Sequence, residues 1–103
     1  MRTLEELKTR LMQGKFEFSH HAFKRAVERN ISEAEIRRVG QNAVLIEDYP
    51  NDKYGPICLL LGFTESARAL HLQVSRMNTE LVKIVTLYQP NEAEWVNNYS
   101  KRR

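Results

Sequence analysis

The apolar residues of this chain change period once, near residue 43, and that change dictates the class of fold. Before it they recur at helical spacing; after it they alternate or run together as in strands. In the first part, Thr3 precedes Leu4, Leu7 and Leu11, with Glu6 at the third helical position. This is the pattern of a capping box, and it predicts a helix over residues 3–13 with Gly14 as its left-handed stop. After the link Lys15–Phe18, Ser19 is the candidate cap of a second helix from His20 to about Arg29, with Ala22, Phe23, Ala26 and Val27 as its apolar arc. Ser32 and Glu35 form a second capping box, Ile31 and Ile36 staple across it, and Gly40 and Asn42 close the helical half.

Beyond residue 43 the pattern predicts strands at Ala43–Tyr49, Ile57–Phe63, Arg68–Arg76 and Glu80–Tyr88. The turn formers Pro50 to Pro56 separate the first two, and the second is apolar on both faces, so it belongs inside the sheet. A short C-terminal helix is expected after Pro90, with Asn91 as cap, Glu94 in the box position, and Trp95, Val96 and Tyr99 turned inward. The expected architecture is therefore α+β: N-terminal helices, a four-stranded antiparallel meander, and a closing helix. Neither a repeat nor a linker divides residues 1–103, so one domain is expected.

With 42% hydrophobic and 28% charged residues, the composition excludes disorder, collagen and a disulfide scaffold. Cys58 is the only cysteine and cannot form an internal bridge. Residues 1–3 lead straight into an amphipathic stretch with no export signal, and no apolar run approaches bilayer length, so a cytoplasmic protein with no membrane partner is expected. The net charge of +3 is uneven: residues 1–40 and 66–103 are basic and residues 41–65 acidic, so any basic surface must come from the two ends. Lys101-Arg102-Arg103 reads as a solvated basic tail.

Two clusters carry candidate chemistry. On the second helix, His21, Arg25 and Arg29 share one stripe beside the apolar arc. The stripe suits a charged ligand, or equally an ordinary boundary with the arginines paired to Glu28 or Glu33. In the last hairpin, a two-residue turn at Asn78-Thr79 places His71 opposite Thr86, Ala69 opposite Tyr88 and Gln73 opposite Ile84. One sheet face then shows His71, Gln73, Thr86 and Tyr88, while Leu70, Leu72, Val74, Val85 and Leu87 face the core. A histidine simply satisfied on a half-exposed face fits the same pattern. His20, His21, His71 and Cys58 have no metal-ligand spacing, and the scattered glycines form no phosphate loop, so neither metal nor cofactor is expected.

The run Ser19-His20-His21-Ala22 through Arg25 to Glu28-Arg29-Asn30-Ile31-Ser32 resembles the opening of a bacterial family, domain of unknown function 4258 (DUF4258). The likeness continues through Gly62, Leu70-His71, Val85-Thr86-Leu87-Tyr88-Gln89-Pro90 and Trp95, covering about residues 15–96. Asn30 stands where the family usually has glycine; asparagine also tolerates the left-handed turn.

The family is similar to RelE-like and BrnT-like toxins, small α+β folds that cleave RNA without a metal. The resemblance thus implies a metal-independent ribonuclease with His21 and His71 as acid and base. Arg25 would hold the scissile phosphate, with Arg29, Thr86, Tyr88 and Gln73 contacting substrate. Non-catalytic binding of RNA, a nucleotide or a protein such as an antitoxin is the alternative.

Overall fold

The computed structural model describes residues 1–103. The three expected helices form. α1 (Leu4–Met12) is capped by Thr3 in a complete capping box and ends at Gln13, with Gly14 left-handed at φ 74°. α2 (His20–Glu28) is capped by Ser19, and α3 (Glu33–Asn42) by the Ser32–Glu35 box. Gly40 is helical and does not end α3; a Cβ there would lie 2.8 Å from the Met12 backbone nitrogen, so its smallness lets α1 and α3 cross closely.

The four-stranded meander is corrected to a five-stranded mixed sheet. Its strands are β1 (Phe16–Phe18), β2 (Val44–Tyr49), β3 (Ile57–Phe63), β4 (Ala69–Ser75) and β5 (Val82–Tyr88), in the order β1-β5-β4-β3-β2. The link Lys15–Phe18 contributes β1, which pairs parallel to β5 with Phe16 beside Val82. Its alternation of half-buried Phe16 and Phe18 about exposed Glu17 is a strand pattern too short to stand without a neighbour.

The hairpin register also differs. The β4–β5 connection covers residues 76–81, not two residues, and buried Arg2 reaches into it, donating to the carbonyls of Met77 and Thr79. His71 therefore lies opposite Tyr88 and Gln73 opposite Thr86. A shift of two preserves side-chain parity, so these four residues still share one face. Past Gln73 the ladder bulges and Val74 lies opposite Ile84, so Ile84, not Val85, enters the core. Ser19 holds the bulge, donating its hydroxyl to the Val85 carbonyl at 2.9 Å.

The C-terminal helix is likewise corrected. Asn91 and Glu94 make the expected cap bonds for a single turn, after which β6 (Trp95–Val96) and β7 (Lys101–Arg102) form a small hairpin. Asn97, Asn98 and Tyr99 all adopt positive φ, reversing the chain where a helix would have continued.

All three helices cover one sheet face. Leu7, Leu11, Ile36 and Val39 meet Leu60, Leu70, Leu72, Ile84 and Leu87 in the main core. The hairpin covers part of the other face, placing Trp95 over His71. No helix is long and apolar enough to cross a membrane.

Candidate functional site

The hairpin and the ends of the framework elements enclose a cavity of about 520 Å³. Arg29 at the end of α2, Arg68 before β4, and Tyr88 and Gln89 at the end of β5 form one wall. Asn91, Glu94, Trp95 and Arg102 from the C-terminal segment form the other. A second cavity, of about 580 Å³, is lined by α3, Met12 and Glu65. The second also has arginines, Arg37 and Arg38; the first is distinguished by its contact through Tyr88 with buried His71.

The three arginines differ. Arg68 clamps the turn between α2 and α3, donating to the Arg29 carbonyl at 2.7 Å and the Asn30 carbonyl at 3.0 Å; its guanidinium also lies 3.3 Å from Glu35. Asn30 takes the left-handed conformation there, φ 53°. Arg102 grips Glu47 through two nitrogens, at 2.7 and 3.1 Å, and stacks over Trp95 at 4.7 Å. Bonding from Arg102 holds the Glu47 carboxyl below the usual carboxylate range. Arg29 donates to the Leu87 carbonyl at 2.7 Å and has no carboxylate partner. Its remaining donors are the site's one cationic group not offset by an adjacent acid.

His71 stands beside Tyr88 on the neighbouring strand and is 0% exposed. Its Nδ1 is 3.1 Å from the Tyr88 hydroxyl and its Nε2 2.8 Å from the Tyr99 carbonyl, while Trp95 meets it edge-on at 4.3 Å. Burial pushes the imidazole below its ordinary pKa and the Tyr88 phenol above its own. A carbonyl only accepts, so Nε2 carries the hydrogen; in the neutral ring Nδ1 is then the acceptor and Tyr88 donates.

The residues expected from sequence are divided by the structure. Arg29 and Tyr88 line the cavity, with His71 beside Tyr88. Gln73 and Thr86 pair next along the same two strands, outside the lining. His21 is exposed on the first turn of α2, and Arg25 is paired with Glu28 at 2.9 Å; neither lines the cavity.

Sequence reasoning did not single out Arg68, Gln89, Asn91, Glu94, Trp95 or Arg102 as site residues. Gln89 and Trp95 lay within the motif run, and consecutive Asn97-Asn98 was an available signal for a reversal bringing Arg102 back. Arg68 had no local signal, because its place depends on the turn it reaches across.

A model of the family DUF4258, domain of unknown function, matches residues 18–89, from the end of β1 through β5. No curated protein and no solved structure matches the chain. The matched span contributes Arg29, Arg68, Tyr88 and Gln89 to the site, and the hairpin beyond it supplies the opposite wall. With more than two thirds of its length accounted for by that one model, the chain belongs to the DUF4258 family.

Proposed function

We propose that this protein binds RNA in the arginine-lined cavity, with Arg29 holding a backbone phosphate. The observation carrying the reading is the Arg29 guanidinium, anchored at one nitrogen by the Leu87 carbonyl and ion-paired with no carboxylate, although Glu94 lines the same cavity. A preorganised guanidinium matches phosphate oxygens in shape and charge. The exposed edge of Arg102 and the amides of Gln89 and Asn91 supplement it with further donors.

Arg29→Ala is expected to weaken binding of a labelled single-stranded RNA roughly 10- to 100-fold, the usual range for charge-assisted hydrogen bonds. Its plot of log affinity against log salt should be shallower by about one phosphate contact. Fluorescence anisotropy over a salt series measures both, with a thermal melt to establish that the variant is folded. An unchanged dissociation constant in a folded variant overturns the reading.

Metal-independent cleavage is a second reading, favoured by the Tyr88–His71 contact at the cavity wall. Cleavage needs a base for the 2′-hydroxyl and positive charge around the phosphorane. Here the Tyr88 oxygen would take the 2′-hydroxyl proton as Tyr88 passes its own to His71 Nδ1, solvent water would protonate the leaving 5′-oxygen, and Arg29 would take the role expected of Arg25. Gel analysis of the incubated RNA separates the readings: intact RNA supports binding alone, whereas fragments lost in Tyr88→Phe support cleavage.

A further inference from the structure

We propose that the Tyr88 hydroxyl reads the sugar: it accepts a hydrogen bond from a ribose 2′-hydroxyl and so makes this cavity select RNA over DNA. The inference rests on the RNA-binding reading and adds a specificity-determining residue to it.

A phenol has one proton to donate and lone pairs with which to accept. The Tyr99 carbonyl, 2.8 Å from His71 Nε2, requires the hydrogen on that nitrogen, leaving Nδ1 bare. Tyr88, 3.1 Å from Nδ1, therefore spends its proton on His71. The hydroxyl keeps only acceptor capacity for whatever enters the cavity it lines.

The rest of the lining has the opposite character. Gln89 gives its oxygen to Arg68 Nε at 2.9 Å, leaving its amide nitrogen as the group for a ligand. Arg29 and Arg102 can only donate. The other side-chain acceptors are Asn91 Oδ1, which already takes the Glu94 backbone N–H at 3.1 Å, and Glu94, whose Oε1 takes the Asn91 amide at 2.8 Å and whose side chain is solvated. The complement of this lining is an acceptor-rich anion carrying a nearby hydroxyl donor. A phosphodiester beside a 2′-hydroxyl has that arrangement, whereas deoxyribose lacks the donor.

The test compares RNA, DNA and 2′-fluoro-RNA of one sequence, single-stranded and labelled, by anisotropy against the full chain. The fluorinated sugar keeps the ribose pucker but cannot donate. RNA is expected to bind roughly 3- to 10-fold more tightly than either analogue, the worth of one net hydrogen bond. Tyr88→Phe should abolish that preference while leaving DNA affinity within about twofold, as expected if the lost group touches only the 2′-position. Glu94→Gln should retain the preference.

Equal affinity of the wild-type protein for RNA and 2′-fluoro-RNA overturns the proposal and leaves RNA binding standing. Failure to bind any of the three overturns both. Should Tyr88→Phe not fold, the two RNA ligands on the wild-type protein decide the matter alone.

Discussion

His71→Ala is expected to lower folding stability by about 3 kcal/mol, combining a cavity with two broken hydrogen bonds. The ring is fully buried, so its removal leaves a void against Trp95. The Tyr88 hydroxyl and Tyr99 carbonyl lose their partner together. Tyr99 is also held at φ 67°, a conformation costly for a bulky side chain, and the bond to His71 is among the contacts that hold it there. Urea unfolding measures the loss, and a midpoint shift worth less than about 1 kcal/mol would show that His71 packs without holding the hairpin.

The same residue imposes a pH dependence. The unfolded imidazole takes up a proton near its ordinary pKa of 6.5, but burial makes the folded one resist until lower pH. The unfolded state thus binds more protons in that interval, and stability falls as the pH drops from about 6.5 through the folded value. His71→Ala should flatten this part of the profile. Glu6 and Glu47, both held below the ordinary carboxylate value of 4.5, stabilise above it and lose that contribution in more acidic solution. That lower limb should persist in the variant, so unfolding curves across the two intervals distinguish the contributions.

Gly62→Ala is expected to destabilise by about 2–3 kcal/mol, although alanine is ordinarily no worse than glycine in a strand. A Cβ at Gly62 would lie 2.5 Å from Val39 Cγ1 and 3.0 Å from the Asn42 Oδ1. Val39 is fully buried, and its branched side chain has little rotamer freedom in a helix. Asn42 cannot retreat freely either: its side chain accepts from the Phe63 nitrogen at 2.7 Å and donates to the Phe63 carbonyl at 2.8 Å. The added methyl therefore pries α3 from β3 at both contacts.

Val39→Ala should relieve the steric part. The double variant is expected to be more stable than additivity predicts, by about 1–2 kcal/mol, the coupling characteristic of touching residues. Urea midpoints of the four proteins give this number directly. Strict additivity would show that α3 shifts as a body and that Val39 is not the obstruction.

The local signals that proved legible were those whose partners lie within a few residues. Thr3 with Glu6 and Ser32 with Glu35 close their capping boxes across three positions, so two helix starts could be read directly. The parity of β4 and β5 was legible too: apolar Leu70 and Leu72 alternate with His71 and Gln73, whichever even register is adopted. The register itself goes with the longer loop into which Arg2, some 75 positions from Met77, reaches. Similarly, Asn91 and Glu94 contain a genuine helix-start signal, but one turn of helix is only marginally stable and the following residues found better partners elsewhere. Trp95 packed on His71 and Arg102 gripped Glu47, favouring a hairpin.

For this chain, sequence by itself determined the three N-terminal helices and their N-caps, the family and the face on which His71 and Tyr88 stand together. Those properties arise from neighbours in the chain or from side-chain parity, which survives a register shift of two. Tertiary structure decided that Arg29 rather than Arg25 reaches the cavity, that His71 is sealed beneath Trp95, and that Arg102 belongs to a wall instead of a tail. The physical reason is that a long polar side chain is placed by the distant carbonyl or carboxylate that satisfies it. Leu87 does this for Arg29, Tyr99 for His71 and Glu47 for Arg102, and none of those partners is adjacent in sequence.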